Sequence, residues 1–256
     1  MTDEDAARVA LACLDLTRLG DAGSDTEADI EALAARARGP FGPPAALCVW
    51  PQWAARARGL APPGVAIAAV ANFPHGGTDI EAAVRDTAAI VAAGAQEVDV
   101  VLPWRALMAG DHRSPATLLA AVRRACDGLR LKVILETGDL ADDALIRRAA
   151  ALALAEGADF LKTSTGKTGT GATPAAARAL LETIAATPGC TAGFKASGGV
   201  RTVPDAAVYI ALVREILGAA AVGPRRLRIG ASGLLDDIEA VLGGGPAVAQ
   251  PNAPGY

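Results

Sequence analysis

What most constrains this chain is an alternation repeated eight times, in which a short β-like apolar run is followed by a longer Ala-rich helical stretch. The runs read as strands at Leu11–Thr17, Ala46–Trp50, Val65–Asn72, Glu97–Leu102, Leu131–Glu136, Phe160–Ser164, Thr191–Lys195 and Arg226–Gly230. The stretches between them read as helices at Thr26–Ala37, Gln52–Gly59, Asp79–Ala93, Pro115–Gly128, Asp142–Glu156, Pro174–Ala186, Pro204–Leu217 and Leu234–Leu242. Punctuation agrees with this reading. Pro174 and Pro204 stand at helix starts, where proline is favoured. Gly94, Gly128, Gly157 and Gly218 each follow a helical run, where a C-terminal glycine belongs. Strand then helix, repeated, predicts a parallel sheet with right-handed crossovers.

Eight such units in 256 residues match the roughly 250 residues of one (β/α)8 TIM barrel. The competing reading is an open doubly wound sheet. That sheet would carry a GxGxxG fingerprint after its first strand, and here the first strand ends in Asp15-Leu16-Thr17-Arg18. One barrel domain over residues 1–256 is expected, with a flexible Gly/Pro/Ala-rich tail from Gly243 to Tyr256.

Charge narrows the partners. With 24 basic and 28 acidic residues, the chain lacks the basic excess that nucleic acid or an anionic membrane would call for. The acidic start and the absence of an apolar run of membrane-spanning length predict a soluble cytoplasmic protein. Cys13, Cys48, Cys126 and Cys190 are widely spaced, and His75 and His112 are the only histidines. No metal site and no cofactor are therefore expected.

In such a barrel the site lies where strands pass into the following loops. The polar residues there are Asp15 and Thr17, Cys48, Asn72, Asp99, Glu136, Lys162 with Thr163-Ser164-Thr165, Lys195 and Ser232. Lys162 and Lys195 each follow a Phe-containing apolar run on consecutive strands, which lie about 4.8 Å apart. Burial and mutual repulsion both disfavour the charged form of lysine. An ordinary lysine is only about 0.04% neutral at pH 7, so lowering its pKa by roughly three units multiplies the nucleophilic form about a thousandfold. Each lysine taken alone could equally pair with a carboxylate. Asp99 is the natural partner, either as a structural ion pair or as a proton relay.

Thr165-Gly166-Lys167, Ser197-Gly198-Gly199 and Gly230-Ala231-Ser232-Gly233 follow the last three strands. Glycine lets backbone approach an anion, and the loops after strands seven and eight are the habitual phosphate site of these barrels. Cys48 reads either as a small buried hydrophobe or as a thiol beside the site, and His75 as a loop residue.

At these residues the chain resembles the deoxyribose-phosphate aldolase family. The matching segments include Leu14-Asp15-Leu16-Thr17, Cys48-Val49-Trp50-Pro51, Asn72-Phe73-Pro74-His75-Gly76, Glu97-Val98-Asp99-Val100-Val101, Lys132-Val133-Ile134-Leu135-Glu136-Thr137-Gly138, Phe160 to Lys167, Gly193-Phe194-Lys195 and Arg228-Ile229-Gly230-Ala231-Ser232. They follow the family's order along almost the whole chain. The resemblance implies cofactor-free cleavage of 2-deoxy-D-ribose 5-phosphate, a small-molecule sugar phosphate, to acetaldehyde and D-glyceraldehyde 3-phosphate. It implies Lys162 as the Schiff-base lysine, Lys195 as its pKa-lowering neighbour and Asp99 as the proton-relay carboxylate. By the same resemblance Asp15 lies near the substrate hydroxyls. Thr165, Gly166, Lys167, Gly198, Gly199, Gly230, Ser232 and Gly233 fall in the phosphate segments. Tyr256 is similar to a terminal tyrosine that assists proton transfer in some members, and a homodimer is expected by analogy. Two departures stand out. Gly233 replaces a serine of some relatives, and Thr168-Gly169-Thr170-Gly171 is rich enough in glycine to loosen its loop.

Overall fold

The computed structural model describes residues 1–21 and 24–245. Tyr256 and the expected tail beyond Gly245 lie outside the described residues. The strands are β1 Leu14–Thr17, β2 Ala46–Val49, β3 Ala66–Ala71, β4 Glu97–Val101, β5 Arg130–Ile134, β6 Phe160–Lys162, β7 Gly193–Ser197 and β8 Leu227–Ala231. Each pairs in parallel with the next, and β8 returns to pair with β1, so the sheet closes as a (β/α)8 TIM barrel. The helices are α1 Asp3–Ala12, α2 Glu27–Arg36, α3 Ala54–Leu60, α4 Ile80–Ala92, α5 Trp104–Met108, α6 Arg113–Ala125, α7 Thr137–Leu140, α8 Asp143–Ala155, α9 Pro174–Ala186, α10 Val203–Leu217 and α11 Leu234–Leu242.

The start of the chain corrects the sequence reading. Leu11 and Ala12, expected in the first strand, end helix α1, and Cys13 caps it. Thr2 and Asp5 form a reciprocal capping box that satisfies the first free amides. Ala6, Ala7, Ala10 and Leu11 then make one buried face, packed on α10 and α11. The expected Gln52–Gly59 helix is a 3-10 turn over Pro51–Trp53 followed by α3. Two short helices, α5 and α7, were not anticipated. At 5 and 4 residues they are too brief to show a helical period.

Strand alternation divides the barrel wall. Val98, Val100, Leu131, Val133, Leu161, Phe194, Leu227 and Ile229 belong to the apolar core shared with the surrounding helices. The intervening residues Asp15, Glu97, Asp99, Lys132, Lys162, Lys195 and Arg228 meet one another inside the barrel. A barrel interior is usually filled by Val, Ile and Leu. On the β2–β3 wall the lining is apolar instead, with Cys48, Ala68 and Val70 in a separate cluster with Leu19 and Trp50.

Candidate active site

Register decides which side chains meet. Lys162 on β6 stands opposite Lys195 on β7, which in turn stands opposite Arg228 on β8. On the other side, Asp99 on β4 stands opposite Lys132 on β5. All these side chains are buried, with Lys162 2% exposed and Asp99, Lys132 and Lys195 at 0%. Asp99 is the hub. One carboxylate oxygen accepts from Lys162 Nζ at 3.0 Å and from Lys195 Nζ at 2.8 Å, and the other accepts from Lys132 Nζ at 2.6 Å.

The neighbours of each lysine set its protonation. Burial first, and the Lys195 ammonium second, push the Lys162 amine below the ordinary lysine value; Asp99 only partly opposes them. Burial also works against charge on Lys195, but Asp15 at 2.5 Å and Asp99 overcome it and hold its pKa well above the ordinary value. Lys195 is therefore the firmer cation of the pair, and Lys162 the amine that gives up its proton more easily of the two. Asp15 and Asp99 feel the same burial. Asp15 is held below the carboxylate range by Lys195 and Arg228, and Asp99 well below it by Lys132 and Lys195.

A second layer lies beneath. Glu97, two residues before Asp99, accepts from Lys132 at 2.6 Å, Arg130 at 2.5 Å and Arg228 at 2.7 Å. Arg228 also reaches Asp15 at 2.6 Å. Three buried carboxylates (Asp15, Glu97, Asp99) thus face three buried cations (Lys132, Lys195, Arg228), with the partly exposed Arg130 also on Glu97. Lys132, Glu97 and Arg228 belong to this set although the sequence does not mark them as site residues. Lys132 and Arg228 sit inside their strands, and the available signal was a charged residue alternating with apolar ones, as in Arg130-Leu131-Lys132-Val133.

Cys48 is fully buried, and burial raises its thiol pKa, so it stands beside the lysines as a protonated, space-filling side chain. Gly230 is a packing requirement. A Cβ there would lie 2.9 Å from Lys195 Cε, so the missing side chain is what admits the lysine stem. The glycine-rich stretch after Lys167 is open at Gly169, where a Cβ would meet nothing within 4 Å, and tightly packed at Gly171. A Cβ on Gly171 would fall 2.3 Å from the Gly198 carbonyl oxygen, so the loops after β6 and β7 touch backbone to backbone. Gly166 belongs to the same contact, 3.3 Å from where a Cβ on Gly198 would be. Thr165 and Gly166 are buried, Lys167 is half-buried and Gly199 is exposed. Lys167 Nζ lies 4.0 Å from Asp21, so this side chain reaches across the mouth of the barrel toward the loop after β1. Ser232 and Gly233, half-buried, precede α11, whose first turn has no side-chain cap.

Among the described residues no group of His, Cys, Asp and Glu is arranged to hold a metal ion, and no helix is long and apolar enough to cross a membrane. His75 and His112 are exposed.

A buried lysine pair on adjacent strands of a closed barrel, one of them the last residue of its strand, suits a (β/α)8-barrel enzyme. The chain belongs to the DeoC/LacD family of aldolases, whose sequence model matches residues 9–236. It is 46% identical to a deoxyribose-phosphate aldolase from Agrobacterium fabrum, across 98% of this chain and 96% of that one. A solved structure from Aeropyrum pernix, described as a tetrameric deoxyribose phosphate aldolase, superposes with a TM-score of 0.69 at 26% identity, covering 94% of this chain and 93% of its own. One from Toxoplasma gondii ME49 shares the fold with a TM-score of 0.86 at 22% identity, covering 96% and 99%.

Proposed function

We propose that this aldolase reversibly cleaves 2-deoxy-D-ribose 5-phosphate to acetaldehyde and D-glyceraldehyde 3-phosphate through a Schiff base on Lys162. The observation that carries the reading is the Lys162–Asp99–Lys195 cluster, in which a cationic lysine and a shared carboxylate flank an amine of lowered pKa. A neutral amine is the form that attacks a carbonyl, and a neighbouring cation is one way to obtain it.

In the cleavage direction the Lys162 amine adds to the C1 aldehyde of the open-chain sugar. Asp99, working with the Lys195 and Lys132 ammonium groups it binds, helps move the proton that lets water leave the carbinolamine. The protonated imine then draws the C2–C3 electron pair as the C3 hydroxyl gives up its proton. Glyceraldehyde 3-phosphate departs and an enamine remains. Protonation at C2 and hydrolysis release acetaldehyde and restore Lys162. Asp15 is placed against Lys195 and Arg228, where it keeps Lys195 charged. The loops carrying Thr165, Gly166, Lys167, Gly198, Gly199, Ser232 and Gly233 would take the phosphate, with glycine backbone and Lys167 as donors. On the same resemblance we assign the reaction to deoxyribonucleotide breakdown in the cytoplasm and expect a homodimer, which light scattering on the purified protein checks.

Borohydride reduction in the presence of acetaldehyde, followed by peptide mass spectrometry, tests the central step. An ethyl group on Lys162 is the expected product. A folded protein that carries no adduct on any lysine would remove the Schiff-base reading.

A further inference from the structure

Glu136 is a buried carboxylate to which the reaction above gives no task. It follows β5, is 0% exposed, and has a backbone at φ 55°, ψ 55°. Residues other than glycine seldom adopt that conformation, and it persists where the surroundings over-determine it. They do so here. Leu135 N–H donates to Lys162 O at 3.0 Å and Thr137 N–H to Thr163 O at 2.9 Å, so the chain is pinned to β6 on both sides of Glu136. The side chain is left facing the loop that follows β6.

Among the described residues no lysine or arginine pairs with this carboxylate. Burial raises its pKa, and hydrogen bonds from Thr165 only partly offset that effect. Its partners all belong to one loop. Thr165 Oγ1 donates to Oε2 at 2.6 Å, Thr165 N–H donates to Oε1 at 3.2 Å, and Thr168 Oγ1 donates to Oε1 at 3.4 Å. Thr165 Oγ1 in turn accepts from Lys167 N–H at 3.1 Å. A chain of hydrogen bonds therefore runs from Glu136 through the Thr165 hydroxyl to the backbone of Lys167, whose ammonium reaches across the barrel mouth. A buried, strained carboxylate without a directly paired cation is expensive to keep for packing alone.

We propose that Glu136 is a positioning residue for phosphate recognition: its carboxylate holds the 165–168 loop in the shape that presents Gly166 and Lys167 to the phosphate end of the sugar. Its effect is to set the preference for phosphorylated over unphosphorylated substrate. The inference rests on the reaction proposed above.

The test compares steady-state kinetics of Glu136→Gln and Glu136→Gly on 2-deoxyribose 5-phosphate and on unphosphorylated 2-deoxyribose. Glutamine keeps the shape but offers one acceptor oxygen where the loop needs two; glycine relieves the backbone and removes the clamp. Loss of charge-assisted hydrogen bonds should raise KM for the phosphorylated sugar about ten- to a hundredfold. Its kcat, the kinetics on 2-deoxyribose and the acetaldehyde adduct on Lys162 should not change. Should the glycine variant fail to fold, the isosteric glutamine variant decides. An equal loss on both sugars, or an unchanged KM for the phosphorylated one, would overturn the role of Glu136 while leaving the reaction standing. A wild-type protein that does not cleave 2-deoxyribose 5-phosphate would overturn the reaction and this inference together.

Discussion

Lys162 and Lys195 are the same residue type, stand opposite each other in register, and differ in what surrounds their nitrogens. Lys195 has two carboxylates within 2.8 Å, and Lys162 has one at 3.0 Å that it shares. That asymmetry decides which of the two keeps its proton, and the Lys195 cation together with burial then pushes the Lys162 amine down. Replacing Lys195 with leucine removes the cation and leaves Asp15 and Asp99 facing Lys162, so the Lys162 pKa should rise. The neutral amine would then appear only at higher pH, and the acid limb of the kcat/KM profile should move upward; an unmoved limb would contradict the pairing. Lys162 also carries a stability cost. Its folded pKa lies below its unfolded value, so near neutral pH folding must take a proton from it or bury its charge. Lys162→Met should abolish turnover and adduct formation yet raise the thermal midpoint, by about 2–4 °C for each kcal/mol gained in a chain of this size.

The strands and their loops place these side chains by what they leave out as much as by what they contain. Gly230 on β8 gives Lys195 room, and Gly171 and Gly198 let two loops meet at backbone distance. In Gly230→Ala the added methyl meets Lys195 Cε and the Ser197 hydroxyl at 3.1 Å, neither of which can retreat from a packed barrel. Overpacking of this kind costs roughly 1–3 kcal/mol. Here it should appear as a fall in kcat/KM of about tenfold or more in a protein with an unchanged circular dichroism spectrum. Full activity in this variant would show that the lysine stem has slack. The element boundaries carry a related lesson. Helix α1 was readable from the Thr2–Asp5 capping pair, but the apolar spacing of Leu11 to Leu16 also suits a strand, and only packing against α10 and α11 resolves the ambiguity.

At the scale of the whole molecule, the barrel is held open to chemistry by a set of buried charges. Asp15, Glu97 and Asp99 all have folded pKa values below the ordinary carboxylate value. In the acid range the unfolded chain therefore binds more protons than the folded one. The stability these groups contribute is fully present above the unfolded carboxylate pKa, about 4, and is lost as pH falls through the acid range. Urea unfolding between about pH 5 and pH 3 should show a steep drop in midpoint. A flat profile would mean that folding does not lower the pKa values of the three carboxylates. Breaking the set from one side should be severe. Lys132→Leu leaves Glu97 and Asp99 each short of a cation, a loss on the order of 3–5 kcal/mol for a buried pair.

The sequence by itself determined the architecture, because eight apolar runs and the caps between them are local patterns that short-range physics enforces. It also singled out Lys162, Lys195 and Asp99 as candidates, since charged residues within apolar strands are visible without coordinates, although only Lys162 ends its strand and Lys195 and Asp99 lie inside theirs. The tertiary structure alone decided the rest. Register brought Lys132, Glu97 and Arg228 from three strands into one buried set. It also gave Asp15 to Lys195 rather than leaving it at the mouth of the barrel, and turned Glu136 onto the loop after β6. Those contacts join residues between 29 and 213 positions apart. Their energies depend on distance and burial, which exist only once the barrel has closed.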